Sequence, residues 1–190
     1  DAFKLANKPF RYNLSVGLAD NTSEITKFDN PSKILSDYYV GQKLGDIWGY
    51  VVDGLFRTDE EAANYNVDQT AVNFVINTAQ VNPGLHAGDM KFVDLDGDHT
   101  ISSGSNTADD PGDRKIIGNS LPRYTYSIQG GFDWYGFDFS IYLQGVGHQD
   151  WYPGTNSVFF WGPYARPYSS FIPRDFLSQV WSPENPDAYF

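Results

Sequence analysis

The chain has 190 residues, and its 13 lysines and arginines are set against 24 aspartates and glutamates, a formal charge of −11 that argues against nucleic acid as a partner. It contains no cysteine, which removes disulfide frameworks, thiolate metal sites and cysteine nucleophiles at once. No apolar run approaches the ~20 residues of a membrane-spanning helix, and the first ten residues lack the layout of a signal peptide, so any membrane must be crossed by strands.

Aromatic residues make up 17% of a chain whose mean hydropathy is only −0.44, so rings alternate with polar neighbours. Residues 10–19 do so cleanly, with Phe10, Tyr12, Leu14, Val16 and Leu18 on one face and Arg11, Asn13, Ser15, Gly17 and Ala19 on the other, which predicts a strand. Residues 45–56 keep neither face apolar and predict a strand inside a folded excursion. Thr58 and Glu61 form a capping box opening a short helix. A second helix is expected over 70–80, ended by Asn82-Pro83-Gly84, and 94–113 reads as an acidic loop. Residues 123–133 alternate again, Trp134-Tyr135-Gly136 makes a turn, and 137–144 alternate in return, which predicts a tight hairpin. After Gln149 the Pro-, Gly- and ring-rich stretch reads as an exposed loop, and a last short helix is expected over 174–180.

Alternation of this kind fits a lipid-facing barrel wall and one layer of a soluble sandwich equally. The sharpest chemical signal is the run Asp94-Leu95-Asp96-Gly97-Asp98-His99-Thr100-Ile101. Carboxylates at positions 1, 3 and 5, joined by the Thr100 carbonyl at position 7, are hard oxygen donors suited to calcium, with Ile101 placed to anchor the turn. Position 12 is Ser105 where an acid is needed, so the last ligand falls to Asp109, Asp110 or Asp113. The signature motifs of zincins, serine hydrolases and P-loop enzymes are absent, and His86, His99 and His148 are isolated, so no catalytic residue is expected. Trp151, Tyr152, Trp161 and Tyr164 offer flat faces to a sugar or peptide, or else to one another.

Four segments, SDYYVGQKLGDIWGYVVDGLFRTDEEA, GDMKFVDLDGDHTIS, DRKIIGNSLPRYTYSIQGGFDWYGFDFSIYLQGVGHQDWY and WSPENPDAYF, together resemble the later barrel portion of SusC-like TonB-dependent outer-membrane transporters of the Bacteroidetes. The resemblance implies an all-β fold, a partial antiparallel transmembrane barrel cut from a 22-stranded one and carrying short helices in its loops. It implies uptake of glycans or peptides beneath a SusD-like lipoprotein, driven through TonB by parts absent from this chain, in a Gram-negative outer membrane. It also selects Asp113 as the displaced calcium ligand, since in the family the acidic turn runs into an Asp-Arg pair, here Asp113-Arg114. Residues 29–122 then form one extracellular excursion, 123–147 a membrane hairpin and 148–190 an extracellular loop region. With no plug, no TonB box and too few strands to close, the chain is expected to be part of something larger. The alternatives are a soluble, calcium-stabilised β-sandwich that binds carbohydrate at the cell surface and a glycan-cleaving enzyme.

Overall fold

The computed structural model describes residues 2–5, 8–72, 84–154 and 171–188, with side chains from Phe10 onward. These residues are all-β in class, with two one-turn helices. The largest sheet is antiparallel and joins β1 (Ala2–Leu5), β2 (Lys8–Ala19), β7 (Arg123–Trp134) and β8 (Phe137–His148) in that order. Between β2 and β7 lie β3 (Asp46–Tyr50), β4 (Val52–Leu55), helix α1 (Asp59–Ala63), β5 (Met90–Phe92) and β6 (Arg114–Asn119). Helix α2 (Phe176–Gln179) comes near the end of the chain.

Register in the large sheet is unbroken where it matters. Phe10 pairs with Trp134 and each following pair holds step to Ala19 with Thr125, while Trp134 pairs with Phe137 and the β7–β8 ladder runs back to His148. Residues directly opposite share a face, so three separate alternations become one apolar surface and one polar surface. Rows such as Val16, Ile128 and Leu143 line the first, and Ser15, Gln129 and Tyr142 line the second. The apolar face is open: Leu14, Val16 and Leu18 are 69%, 68% and 73% exposed, and no second sheet of the described residues packs across it.

The β7–β8 turn is tighter than the sequence predicts. Trp134 still belongs to β7, opposite Phe137, which leaves only Tyr135 and Gly136 in the loop, with φ of +56° and +78°. Two consecutive positive φ values make a type I′ turn, whose twist matches the flanking strands.

Residues 45–56 likewise split in two at Val51. β3 pairs with β6 and β4 pairs with β5, giving two small sheets that stand apart from the large one. Every residue of β3 is half-buried, which is why neither of its faces reads as apolar. Phe56 and Ile101 of this region are fully buried, and Tyr39 and Ala62 are buried as well. Phe56 meets the Tyr65 ring edge-on at 5.2 Å, and the Tyr65 hydroxyl donates to the Phe92 carbonyl at 2.6 Å. Gln69, also buried, donates to the Met90 carbonyl and accepts from the Phe92 amide, satisfying β5 from its free edge. Thr70 to Val72 form a turn, and the rest of the expected 70–80 helix lies outside the described residues.

The 171–188 segment returns to this region. Arg57 pairs with Asp187 at 2.6 Å, and the Trp181 ring lies where a Cβ on Gly88 would meet it at 2.9 Å, at a backbone φ of +91°. Both facts require glycine at 88.

Thr58 caps α1 by accepting from the Glu61 amide at 3.1 Å, and the Glu61 carboxylate reaches back to the Arg57 amide at 2.9 Å and to the Lys91 ammonium at 3.2 Å. The Arg57 amide first and Lys91 second hold the Glu61 carboxyl below its ordinary value of 4.5. A depressed carboxyl stabilises the fold above its unfolded pKa and loses that contribution as pH falls through the folded one. Proteolytic cutting near α1 should therefore be steady from about pH 7 to about pH 5, rise below about pH 4.5, and lose its pH dependence in Glu61→Gln.

Candidate functional site

Two features stand out from the fold: the wall made by β2, β7 and β8, and the acidic turn between β5 and β6. The wall is built by strand pairing alone. Its apolar face is graded along the strands, with Tyr124 and Tyr126 at one end, Leu14, Val16, Ile128, Ile141 and Leu143 across the middle, and Phe10, Phe132, Trp134, Phe137 and Phe139 at the other end. In the last group the phenylalanine rings stack, Phe132 lying 5.4 Å from Phe139 and 5.9 Å from Phe10. The opposite face carries Asn13, Ser15, Ser127, Gln129, Ser140, Tyr142 and Gln144, and its charges, Arg11, Asp133 and Asp138, sit in one row near the turn. At the other end Arg123 grips Asp20 through its Nε and its Nη2, the latter donating at 2.6 Å, and fastens the point where the chain leaves β2 to the point where it enters β7.

In the acidic turn, Asp94 accepts from the Gly97 amide at 2.6 Å and the His99 amide at 2.9 Å, Asp96 accepts from the Asp98 amide, and Asp98 accepts from the Thr100 amide. His99 adopts φ of +65°, the conformation glycine supplies more easily at that position. Asp113, distant in sequence, is fully buried and accepts from the Leu95 and Ser102 amides at 2.7 Å each, so it clamps both ends of the turn. Ile101, which closes the acidic run, is fully buried.

This geometry brings three of the five expected ligands together: oxygens of Asp94, Asp96 and Asp113 lie within 4.8 Å of one another. Asp98 and Thr100 are not part of that group. Each clustered carboxylate oxygen has two lone-pair sites, so one amide apiece leaves capacity for a hard cation. Burial pushes Asp94 up, but the Gly97 and His99 amides more than cancel it and hold it below the usual carboxylate range. The Asp98 amide pulls Asp96 down, yet burial and the charges of Asp113, Asp98 and Asp94 outweigh it and leave Asp96 above that range. The cluster is thus a focus of negative potential.

Trp151 and Tyr152, 69% and 61% exposed, follow β8 directly. Trp161 and Tyr164 lie outside the described residues.

With the geometry in hand, comparison with known proteins gives one informative relative. The chain is 28% identical over 160 residues to the TonB-dependent receptor P39 of Formosa agariphila. That alignment covers 72% of this chain and 15% of the receptor, so the chain spans a small part of its relative's length. No protein-family model matches. A distant relationship to TonB-dependent receptors is what this similarity supports.

Several residues that shape the site carry no sequence signal of their own. Asp150 accepts from the Asn119 amide at 2.7 Å and meets His148 at 3.1 Å, tying the end of β8 to β6. Asn119 in turn donates to the Leu44 carbonyl and to Asp46. Only the pairing of distant strands brings these groups together.

Asp113→Asn tests the clamp. An amide offers one acceptor oxygen where the carboxylate offers two, so either Leu95 or Ser102 is left with a donor facing a donor, at a cost of about 1–3 kcal/mol. Faster hydrogen exchange at those two amides, with exchange in β7 unchanged, is the expected result.

Proposed function

We propose that this chain is wall and outer loop of a TonB-dependent outer-membrane importer of the SusC-like kind. The observation that carries the reading is the open apolar face shared in register by β2, β7 and β8, backed by a polar face. A sheet in water buries such a face; a sheet in a bilayer presents it to hydrocarbon.

Dimensions support the reading. From Tyr124 to Trp134 the face runs ten residues, roughly 34 Å at ~3.4 Å each, or about 26 Å in height at a tilt near 40°, against an apolar band about 25 Å tall in outer-membrane barrels. Rings at both ends and aliphatic side chains between them reproduce the aromatic girdles of such walls. On this reading the Tyr135–Gly136 turn is periplasmic, 29–122 form an extracellular excursion, and the polar face looks into the lumen of a 22-stranded barrel. Cargo would be a glycan or peptide captured under a SusD-like lipoprotein, with Trp151, Tyr152, Trp161 and Tyr164 as ring contacts, and energy would arrive through TonB. Similarity to a named receptor favours transport over catalysis.

The soluble sandwich needs a second sheet across the apolar face, and none of the described residues supplies one. The two readings share the metal. We take Asp94, Asp96 and Asp113 as the core of a calcium site that stiffens the outer loops, with Asp98 and Thr100 available to complete it.

Because this segment has no cysteine, single cysteines placed in it are clean probes in a full-length protein whose other cysteines, if any, are replaced by serine. Gln129→Cys and Ser140→Cys should react with a water-soluble maleimide in native membranes, Val16→Cys and Ile141→Cys only after denaturation, and Asp98→Cys on intact cells. Equal reaction of Val16→Cys and Gln129→Cys, or protection of Asp98→Cys on intact cells, overturns the assignment. Millimolar calcium should raise the melting temperature of the wild type and leave Asp96→Ala unmoved; no shift in either removes the metal.

A further inference from the structure

The polar face of the wall carries one ring against the pattern. Along β2, β7 and β8 every other Phe, Trp and Tyr falls on the apolar face, but Tyr142 falls on the opposite one, across the ladder from Gln129, and is 60% exposed. An exposed ring among hydroxyls and amides offers a flat apolar surface with polar groups at its edge.

The surroundings give that ring a shape to work with. Its hydroxyl donates to Gln144 Oε1 at 3.2 Å, which ties the ring down along β8. Glycines keep the sheet low in the adjoining rows. A Cβ on Gly131 would meet Asn13 Oδ1 at 2.7 Å, and one on Gly17 would meet Ser127 Oγ at 2.9 Å, so an amide and a hydroxyl occupy the space those side chains would take. The Tyr142 ring therefore stands as a step above a polar floor. Among the described residues no hydrogen bond engages the side chains of Ser15, Ser127 or Gln129, so their donors and acceptors are open to a ligand.

Charge is missing from this band. The four rows from Asn13, Gly131 and Ser140 to Ala19, Thr125 and Val146 hold no charged side chain. Charges begin at its borders: Arg11, Asp133 and Asp138 toward the turn, with Lys4 and Lys8 at the same end, and Arg123 and His148 at the other end, engaged by Asp20 and Asp150. Residues 20–122, which the wall reading sets outside the membrane, hold 17 acidic against 7 basic residues, a net charge of −10. A carboxylated or sulfated cargo meets repulsion on the way in and no cation in the band to receive it. A neutral, hydroxyl-rich cargo meets neither obstacle.

We propose that Tyr142, Gln129 and Ser127 form a lumenal subsite for an uncharged oligosaccharide, one sugar ring lying on the tyrosine face with its hydroxyls on the amide and serine groups. The inference rests on the wall reading above and narrows its cargo from glycan or peptide to neutral glycan. Gln129 is halfway between Tyr124 and Trp134 on β7, so the subsite stands at mid-depth in the wall, where cargo moving inward from the outer loops passes it.

The test follows labelling of Ser140→Cys, two residues from Tyr142 on the same face, by a water-soluble maleimide in outer membranes carrying the full-length protein with any other cysteines replaced by serine. The probes are an equal mixture of neutral hexasaccharides of glucose, mannose, xylose and galactose, and hexagalacturonate. At about 20 mM the neutral mixture should slow labelling about fivefold, and hexagalacturonate should leave it unchanged. Tyr142→Leu should abolish the protection and Tyr142→Phe should keep it, with heat-modifiable gel mobility reporting an intact barrel in both. Where Tyr142→Leu loses the mobility shift, Gln129→Ala replaces it with the same expected loss. No protection, equal protection by the two probes, or protection that survives loss of the ring overturns the subsite and leaves the wall standing. A Ser140→Cys shielded until denaturation means that another part of the protein covers the face, and likewise overturns the subsite. Val16→Cys labelling as fast as Ser140→Cys overturns both readings.

Discussion

Everything in this structure depends on a phase relation. β2, β7 and β8 each alternate with period two, and because their ladders run in step, all three alternations point the same way. A slip of one residue in the β2–β7 ladder would set Val16 against Gln129 or Ser127 and break the shared apolar face at that seam. The result is a sheet whose most hydrophobic surface has no partner within the described chain, and at roughly 25 cal/mol per Å2 of apolar area such a surface is costly in water. The demand for a non-aqueous neighbour follows from register rather than from any one side chain.

The region between β2 and β7 answers to the opposite demand. Its strands are short and paired two by two, β3 is half-buried on both faces, and Phe56 and Ile101 are fully buried within it. Polar groups do much of the joining: Gln69 completes β5, Asp113 clamps the acidic turn, and Lys91 lies between Glu61 and Asp53. Buried polar groups with full partners specify one arrangement, which suits a loop region that must keep its shape without a large core.

How much of this was legible in advance differs by element, for physical reasons. The strands 10–19, 123–133 and 137–144 could be read because one face of each is wholly apolar, and period two is then unambiguous. The capping box at Thr58 could be read because its geometry is local, though Glu61 reaches the Arg57 amide rather than that of the cap residue. Trp134 was expected in the turn because sequence weighs it with Tyr135, whereas pairing with Phe137 keeps it in the strand. The division of 45–56 into two strands with different partners depends on β5 and β6, which lie far along the chain. In the acidic turn, spacing found Asp94 and Asp96, but resemblance was needed to choose Asp113 over Asp109 and Asp110. The contacts of Trp181 with Gly88 and of Arg57 with Asp187 join residues too distant for any periodicity to connect.

The bidentate link between Asp20 and Arg123 has a further consequence for assembly. β2 and β7 are sheet neighbours separated by the whole of residues 20–122, and closing a flexible loop of that length costs about 4 kcal/mol in chain entropy. A folded insert whose two ends already meet at Asp20 and Arg123 has met that cost before the strands zip together. The insert then works as a hinge pin, delivering β7 to the edge of β2 in the alignment that the Asp20–Arg123 link fixes.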